Sequence, residues 1–83
     1  MNMKQYYQTV KHNEELLAWM ETDNPRTVYW INWDDGVYFA LRKDAEDWCA
    51  EFNSMAFDDE PHYEVEERTM TGREFGGLPL EEL

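Results

Sequence analysis

Few side chains in this sequence have the type and spacing needed for catalysis. A nucleophilic Ser, Cys or Thr needs a base within hydrogen-bond reach. Cys49 is the single cysteine, and it falls on the apolar stripe of a predicted helix, where a free cysteine usually belongs to the core. His12 and His62 form neither a zinc-protease motif nor a Cys/His ladder. Paired carboxylates can act as acid and base, but among 19 acidic residues close pairs arise by chance. We therefore expect no catalytic residue and no enzyme activity.

Two short segments contain residues of the types that bind metals or phosphate. Residues 57–63, FDDEPHY, bring three acids close to His62, and hard cations prefer oxygen ligands. The alternating acids and central glycine of an EF-hand are absent, so the favoured interpretation is a solvated loop. Residues 72–77, GREFGG, lack the spacing and the lysine of a phosphate-binding loop. We expect neither a metal nor another cofactor.

Carboxylates are concentrated in one part of the chain. Residues 44–67 hold ten of them in 24 residues without a Lys or Arg, and the whole chain has 19 acidic and 7 basic residues, a net charge of −12. Such a chain repels nucleic acid and anionic membranes and attracts basic surfaces. An ordinary solubilising surface mixes Lys and Arg among its acids, which this segment does not. The ten residues are Asp44, Glu46, Asp47, Glu51, Asp58, Asp59, Glu60, Glu64, Glu66 and Glu67.

The length and composition predict one folded domain spanning residues 1–83. Apolar residues make up 42% and aromatic residues 16% of the chain, which favours a packed core over a disordered acidic tail. A single cysteine permits no intramolecular disulfide. Residues 1–10 lack the apolar region of a signal peptide, and no run approaches the ~18 apolar residues of a membrane span. We therefore expect a cytoplasmic protein.

The N-terminal third has two possible interpretations. In the first, residues 5–10 form a strand, and Asn13 caps a helix whose buried stripe is Leu16, Leu17 and Met20. In the second, a single long helix begins at the N-terminus, because apolar side chains from Met3 onward also recur at helical spacing. Residues 3–12 can therefore be strand or helix.

The clearest pattern is a β-hairpin, RTVYWINW-DDG-VYFALR, at residues 26–42. A two-residue turn at Asp35 and Gly36 would divide its side chains between two faces, whereas a three-residue loop with a glycine bulge would shift the cross-strand pairing. With the two-residue turn, one face carries Val28, Trp30, Asn32, Phe39 and Leu41, and the other carries Tyr29, Ile31, Trp33, Tyr38 and Ala40.

The remaining elements complete an α+β domain. Asp44 is the predicted N-cap of a second helix, and residues 62–70 predict a strand with Tyr63 and Val65 facing inward. Thr71 and Glu74 have the spacing of a capping box for a short final turn. The apolar stripe of the second helix is Ala45, Trp48, Cys49, Phe52, Met55 and Ala56. The order is β-α-β-β-α-β, and we expect an antiparallel sheet with both helices on one face.

This arrangement would leave the hairpin face with Tyr29, Ile31, Trp33 and Tyr38 partly uncovered. An exposed aromatic patch on an acidic protein indicates a protein contact or a homodimer interface. The alternative is that the C-terminal segment folds over that face. The sequence leaves both open.

In size, charge and aromatic content the chain resembles the small acidic inhibitors that phages make against host defence nucleases. These anti-restriction and anti-CRISPR proteins include many DNA mimics, and the chain is also similar in character to immunity proteins that neutralise nuclease toxins. The resemblance lies in composition over the whole chain and involves no shared motif. It implies stoichiometric inhibition of a basic nucleic-acid-binding protein, without catalysis and without direct binding to nucleic acid or membrane.

On this hypothesis the ten carboxylates would bind the partner's basic cleft, and Trp33 and Tyr38 would be its apolar anchors. A second hypothesis is a structural or regulatory adaptor that forms a homodimer through the aromatic hairpin face. In that case the acids only keep the protein soluble.

Overall fold

In the computed structural model, the residues described are 4–6, 13–32, 36–55 and 62–81. Five strands and three helices along them form an α+β fold. The elements are β1 (Lys4–Tyr6), α1 (Glu14–Trp19), β2 (Pro25–Ile31), β3 (Val37–Phe39), α2 (Arg42–Met55), β4 (Val65–Thr71), α3 (Gly72–Gly76) and β5 (Leu80–Glu81). No helix in these ranges is long and apolar enough to cross a bilayer.

The five strands form one sheet in the order β4-β2-β3-β1-β5. β2 is antiparallel to both β3 and β4, whereas β1 is parallel to β3 and to β5. The sheet is therefore mixed and not antiparallel throughout, because the N-terminal strand inserts between β3 and the C-terminal strand. Gln5 holds this insertion: its backbone N–H donates to Pro79 O at 2.9 Å, and its buried side chain donates to Leu78 O at 3.0 Å.

The two longer helices lie on opposite faces of the sheet, so the expectation of both helices on one face was wrong. Both faces of the hairpin are apolar, and each needs a covering layer. One core cluster joins α1 and α3 to the sheet, and it contains Leu16, Trp19, Val28, Tyr38, Ala40 and Phe75. The other joins α2 to the opposite face, and it contains Ile31, Val37, Phe39, Ala45, Trp48 and Cys49.

The hairpin has a longer connection than the two-residue turn assumed above. Val37 pairs with Ile31, whereas that turn would have paired it with Asp34. An odd shift in register exchanges the faces of one strand, so Phe39 shares a face with Tyr29, and Tyr38 shares a face with Trp30. Gly36 has a φ of 108°, a conformation that favours glycine.

At the N-terminus, the strand at Lys4–Tyr6 and the separate helix α1 confirm the strand-then-helix interpretation. Residues 7–12 lie outside the described residues. Asn13 is the N-cap, and its side-chain Oδ1 accepts from the Leu16 N–H at 3.1 Å. The buried stripe is formed by Leu16 and Trp19, while Leu17 is 43% exposed. Including Leu17 in the stripe was wrong, because residue 19 and not residue 17 lies on the same side of a helix as residue 16.

Helix α2 begins at Arg42, so Asp44 lies in its first turn and is not the N-cap. Its buried residues are Ala45, Trp48 and Cys49, as predicted, but Met55 is 62% exposed and does not belong to the stripe. Ala56 lies outside the described residues. After β4, the predicted capping box is confirmed: Thr71 Oγ1 accepts from the Glu74 N–H at 3.2 Å, and the Glu74 carboxylate accepts from the Thr71 N–H at 3.0 Å.

Candidate acidic interaction surface

Seven of the ten predicted carboxylates lie within the described residues; Asp58, Asp59 and Glu60 lie outside them, as does Trp33. Helix α2 carries four of the seven, the segment before β4 carries one, and β4 carries two. Asp44 is half-buried and the other six are exposed: Glu46, Asp47, Glu51, Glu64, Glu66 and Glu67.

These carboxylates do not form one edge, because adjacent residues of β4 point to opposite faces. Glu66 pairs in register with Trp30, which packs in the cluster beneath α1 and α3. Glu67 pairs with Tyr29, which packs in the cluster beneath α2. Glu67 therefore belongs to the same surface as the acids of α2, and Glu66 belongs to the other.

Arg42 and Lys43, which precede the acidic segment in sequence, form ion pairs with its carboxylates in the folded protein. Arg42 Nε lies 3.1 Å from Glu46 Oε2, and Arg42 Nη1 lies 2.6 Å from Glu67 Oε2. Lys43 Nζ lies 2.7 Å from Asp47 Oδ2. Although residues 44–67 contain no Lys or Arg, three of their carboxylates therefore have Arg42 or Lys43 within 4 Å. The i, i+4 spacing of Arg42 with Glu46 and of Lys43 with Asp47 was the sequence signal for this pairing.

On the opposite face of the sheet, Arg68 pairs with a carboxylate of β4, as Arg42 does on the α2 side. Its Nη2 lies 3.3 Å from Glu66 Oε2, and its guanidinium lies 4.3 Å from the centroid of the Trp30 ring. Such exposed pairs stabilise a fold little. Their main consequence is that they lower the local negative charge at Glu46, Asp47, Glu66 and Glu67.

The carboxylates of α2 divide into two groups on either side of the helix. We call Arg42, Glu46, Glu64 and Glu67 the Glu46 flank, because Arg42 joins Glu46 to Glu67 and because Glu46 and Glu64 both act on Cys49. We call Asp44, Glu51 and Met55 the Glu51 flank, because their spacing of seven and four residues places them on one side of a helix.

The two flanks differ electrostatically. Hydrogen bonding and charge attraction from Glu46, with a further contribution from Glu67, raise the pKa of Arg42 on the Glu46 flank. On the Glu51 flank, partial burial raises the pKa of Asp44; Lys43 opposes this shift and Asp47 adds to it. Within the described residues, neither Asp44 nor Glu51 has a cation within 4 Å.

Asn53 fixes the backbone of Tyr63, the residue before Glu64, beside α2. The Tyr63 N–H donates to Asn53 Oδ1 at 2.8 Å, and Asn53 Nδ2 donates to Tyr63 O at 3.0 Å. The Tyr63 ring also packs edge-on against Trp48, with centroids 5.1 Å apart, and Trp48 stacks on Phe52 at 4.2 Å. The sequence reasoning missed Asn53, since a polar residue near a helix end carries no pattern that reveals a distant backbone partner.

The environment of Cys49 is opposite to that of an activated nucleophile. The side chain is 7% exposed, and burial, with smaller contributions from Glu46 and Glu64, raises the pKa of its thiol. A raised pKa leaves less of the reactive thiolate at neutral pH. In the described part of the chain, no three His, Cys, Asp or Glu side chains gather as they would around a metal ion.

The assignment of Tyr38 as an exposed anchor was wrong. Tyr38 is 4% exposed and lies in the cluster that contains Leu16 and Phe75. The expected alternative, that the C-terminal segment folds over this face, is confirmed for Tyr38 by α3. Ile31, on the other face, is fully buried. Of the predicted aromatic patch, Tyr38 and Ile31 are therefore covered and Tyr29 is half-buried, while Trp33 lies outside the described residues.

No protein-family model, no curated protein and no solved structure matches this chain.

Proposed function

We propose that this protein is a non-catalytic inhibitor that binds the basic, nucleic-acid-binding surface of another protein. The supporting observation is the charge of the surface formed by α2 and the start of β4. Within α2 and residues 62–67, six carboxylates share this side with two cations, Arg42 and Lys43. The six are Asp44, Glu46, Asp47, Glu51, Glu64 and Glu67.

The average density of carboxylates along the axis of α2 is close to the density of phosphates along a nucleic acid strand. Four carboxylates lie between Asp44 and Glu51, and at 1.5 Å per residue this segment is about 10.5 Å long, or about 3.5 Å of helix axis for each successive charge. A strand of double-helical DNA carries one phosphate per ~3.4 Å. The four carboxylates point to different sides of the helix, so the likeness to a strand lies in the density of charge along the axis and not in one matching row.

A surface of this kind acts mainly through long-range attraction. Complementary charge speeds the encounter of two proteins and makes their affinity dependent on salt. The ion pairs of Arg42 reduce the charge of the surface, but they also hold Glu46 and Glu67 at a fixed separation. An ordered set of charges loses less conformational freedom on binding than a mobile one.

The class of partner follows from this chemistry. Nucleases and other nucleic-acid-binding proteins carry the basic clefts that such a surface fits. The anti-restriction, anti-CRISPR and nuclease-immunity proteins that the sequence resembles act on partners of this class. The proposal places the protein in the cytoplasm with them.

A pulldown with a competition step tests the proposal. The tagged protein is incubated with a bacterial lysate at low salt, eluted with a salt gradient, and the eluted proteins are identified by mass spectrometry. The expected result is a nucleic-acid-binding protein that elutes with salt and whose DNA binding the pure protein inhibits competitively. Simultaneous binding of DNA and this protein to the captured partner would contradict the proposal.

A further inference from the structure

Met55 is an exposed apolar side chain within an acidic surface. It lies in the last turn of α2 and is 62% exposed, although it continues a sequence pattern that fits the core stripe. That turn contains no basic residue, so nothing within the helix offsets the negative end of its dipole. Glu51 lies one turn before Met55, and Asp44 lies on the same side of the helix.

We propose that this Glu51 flank is the contact that receives Lys and Arg side chains of the basic partner, with Met55 as its apolar anchor. The inference rests on the proposed function and identifies which side of α2 carries it. The contrast with the Glu46 flank supports the choice. There Arg42 already lies against Glu46 and Glu67, so an incoming cation would have to displace or avoid another cation.

The chemistry of the flank fits a long basic side chain. Lys and Arg have an apolar stem and a charged head. A flexible thioether packs well against such stems, and Glu51, one turn away, lies within reach of the charged head. Asp44 lies about 16 Å further along the helix axis from Met55, where it would meet a second basic side chain. An anionic membrane is an unsuitable occupant because the net charge of −12 repels it. A second copy of the chain carries the same charge and is repelled as well.

Methionine methyl NMR with a defined probe tests the assignment. The probe is a synthetic nona-arginine peptide, titrated at about 20 mM salt, where screening is weak, into protein labelled with ¹³C at the methionine methyl groups. We expect the Met55 signal to shift in a saturable manner. The signals of Met20 and Met70, which pack against the core on the α1 side, should remain in place.

Four variants separate the flank from general charge and general hydrophobicity. Glu51→Gln and Met55→Ala should each weaken peptide binding by about threefold, the size expected for one exposed contact. The controls are Glu21→Gln, which removes an exposed acid next to α1, and Leu17→Ala, which removes an exposed apolar side chain of α1. Both controls should bind as the wild type does.

Two results would overturn the inference, and they have different consequences. If the peptide binds while the Met55 signal and the affinities of the Glu51 and Met55 variants stay unchanged, the contact lies elsewhere and the proposed function survives. If the wild-type protein does not bind the peptide at all, the electrostatic basis of the proposed function fails as well.

Discussion

On one face of the sheet, α1 and α3 are joined by backbone hydrogen bonds between distant segments, while on the other face α2 packs through aromatic side chains and carries ion pairs on its surface. The Gly72 N–H donates to Asn24 O at 3.2 Å, and the Arg73 N–H donates to Thr22 O at 2.9 Å. The α1 side also holds the indole of Trp19, which donates to Asn24 O at 2.8 Å. The two layers therefore differ in how they are attached, since backbone groups join α1 to α3 whereas side chains hold α2, and both faces carry exposed acids and ion pairs.

The largest expected difference between the two faces is in the cost of removing an aromatic ring. Phe75 of α3 is fully buried against Trp19, so Phe75→Ala should lower the free energy of unfolding by about 3–5 kcal/mol. Phe52 of α2 is half-buried, so Phe52→Ala should cost about half as much. Urea denaturation measures both. Equal losses of unfolding free energy would show that the two rings contribute equally to stability.

Cys49 reports whether α2 stays packed on the sheet. Because burial raises the pKa of its thiol and covers the sulfur, its reaction with a disulfide reagent at pH 8 should be about 100-fold slower than in urea, where the pKa returns to about 8.5. The reaction is followed by absorbance. A native rate equal to the unfolded rate would mean that α2 opens readily.

Breaking the hydrogen bonds between Asn53 and Tyr63 should lower the free energy of unfolding less than a core substitution does, but more than a surface substitution does. Asn53→Ala removes two partly buried hydrogen bonds to the Tyr63 backbone, and we expect a loss of about 1–3 kcal/mol. Ser54→Ala is the neighbouring control, because Ser54 is exposed and its hydroxyl donates to Glu51 O within the same helix. Thermal unfolding compares the two variants. Similar losses of stability would show that the hydrogen bonds of Asn53 to Tyr63 do not stabilise the packing of α2.

The smallest effect is expected at the ion pairs of Arg42. Arg42→Gln should change stability by less than about 1 kcal/mol, since both pairs are exposed. The same change should strengthen binding to a basic partner by removing a competing cation. Affinity measured at low and high salt tests this: the gain should shrink as salt rises. Weaker binding of the variant would indicate that Arg42 aids binding by positioning Glu46 and Glu67 more than it opposes binding by its positive charge.

The sequence predicted the local elements better than their arrangement. The Asn13 cap, the Thr71–Glu74 capping box and the buried Ala45, Trp48 and Cys49 depend on neighbours within a few residues, so their patterns are visible in one stretch of chain. The hairpin register was missed because a change of loop length exchanges the faces without altering the alternation of the strands.

The placement of the helices and the ion pairs required the tertiary structure. Both faces of the hairpin are apolar, so the sequence did not reveal which helix covers which face. For the same reason Tyr38 was taken as exposed, although α1 and α3 bury it. Arg42 and Glu67 are 25 residues apart, and only the packing of α2 beside β4 brings them together.

The central claim is that acids on the α2 side, and not net charge alone, bind a basic partner. Two triple variants test it, because each removes three negative charges from a different face. One is Asp47→Asn, Glu51→Gln and Glu64→Gln; the other is Glu15→Gln, Glu21→Gln and Asp23→Asn.

The measurement is the affinity of wild type and both variants for the nucleic-acid-binding protein recovered in the pulldown, at one salt concentration. The account predicts that the α2-side variant binds at least about tenfold more weakly, while the other stays within about threefold of wild type. Equal weakening of both variants, or no weakening of the first, would contradict it.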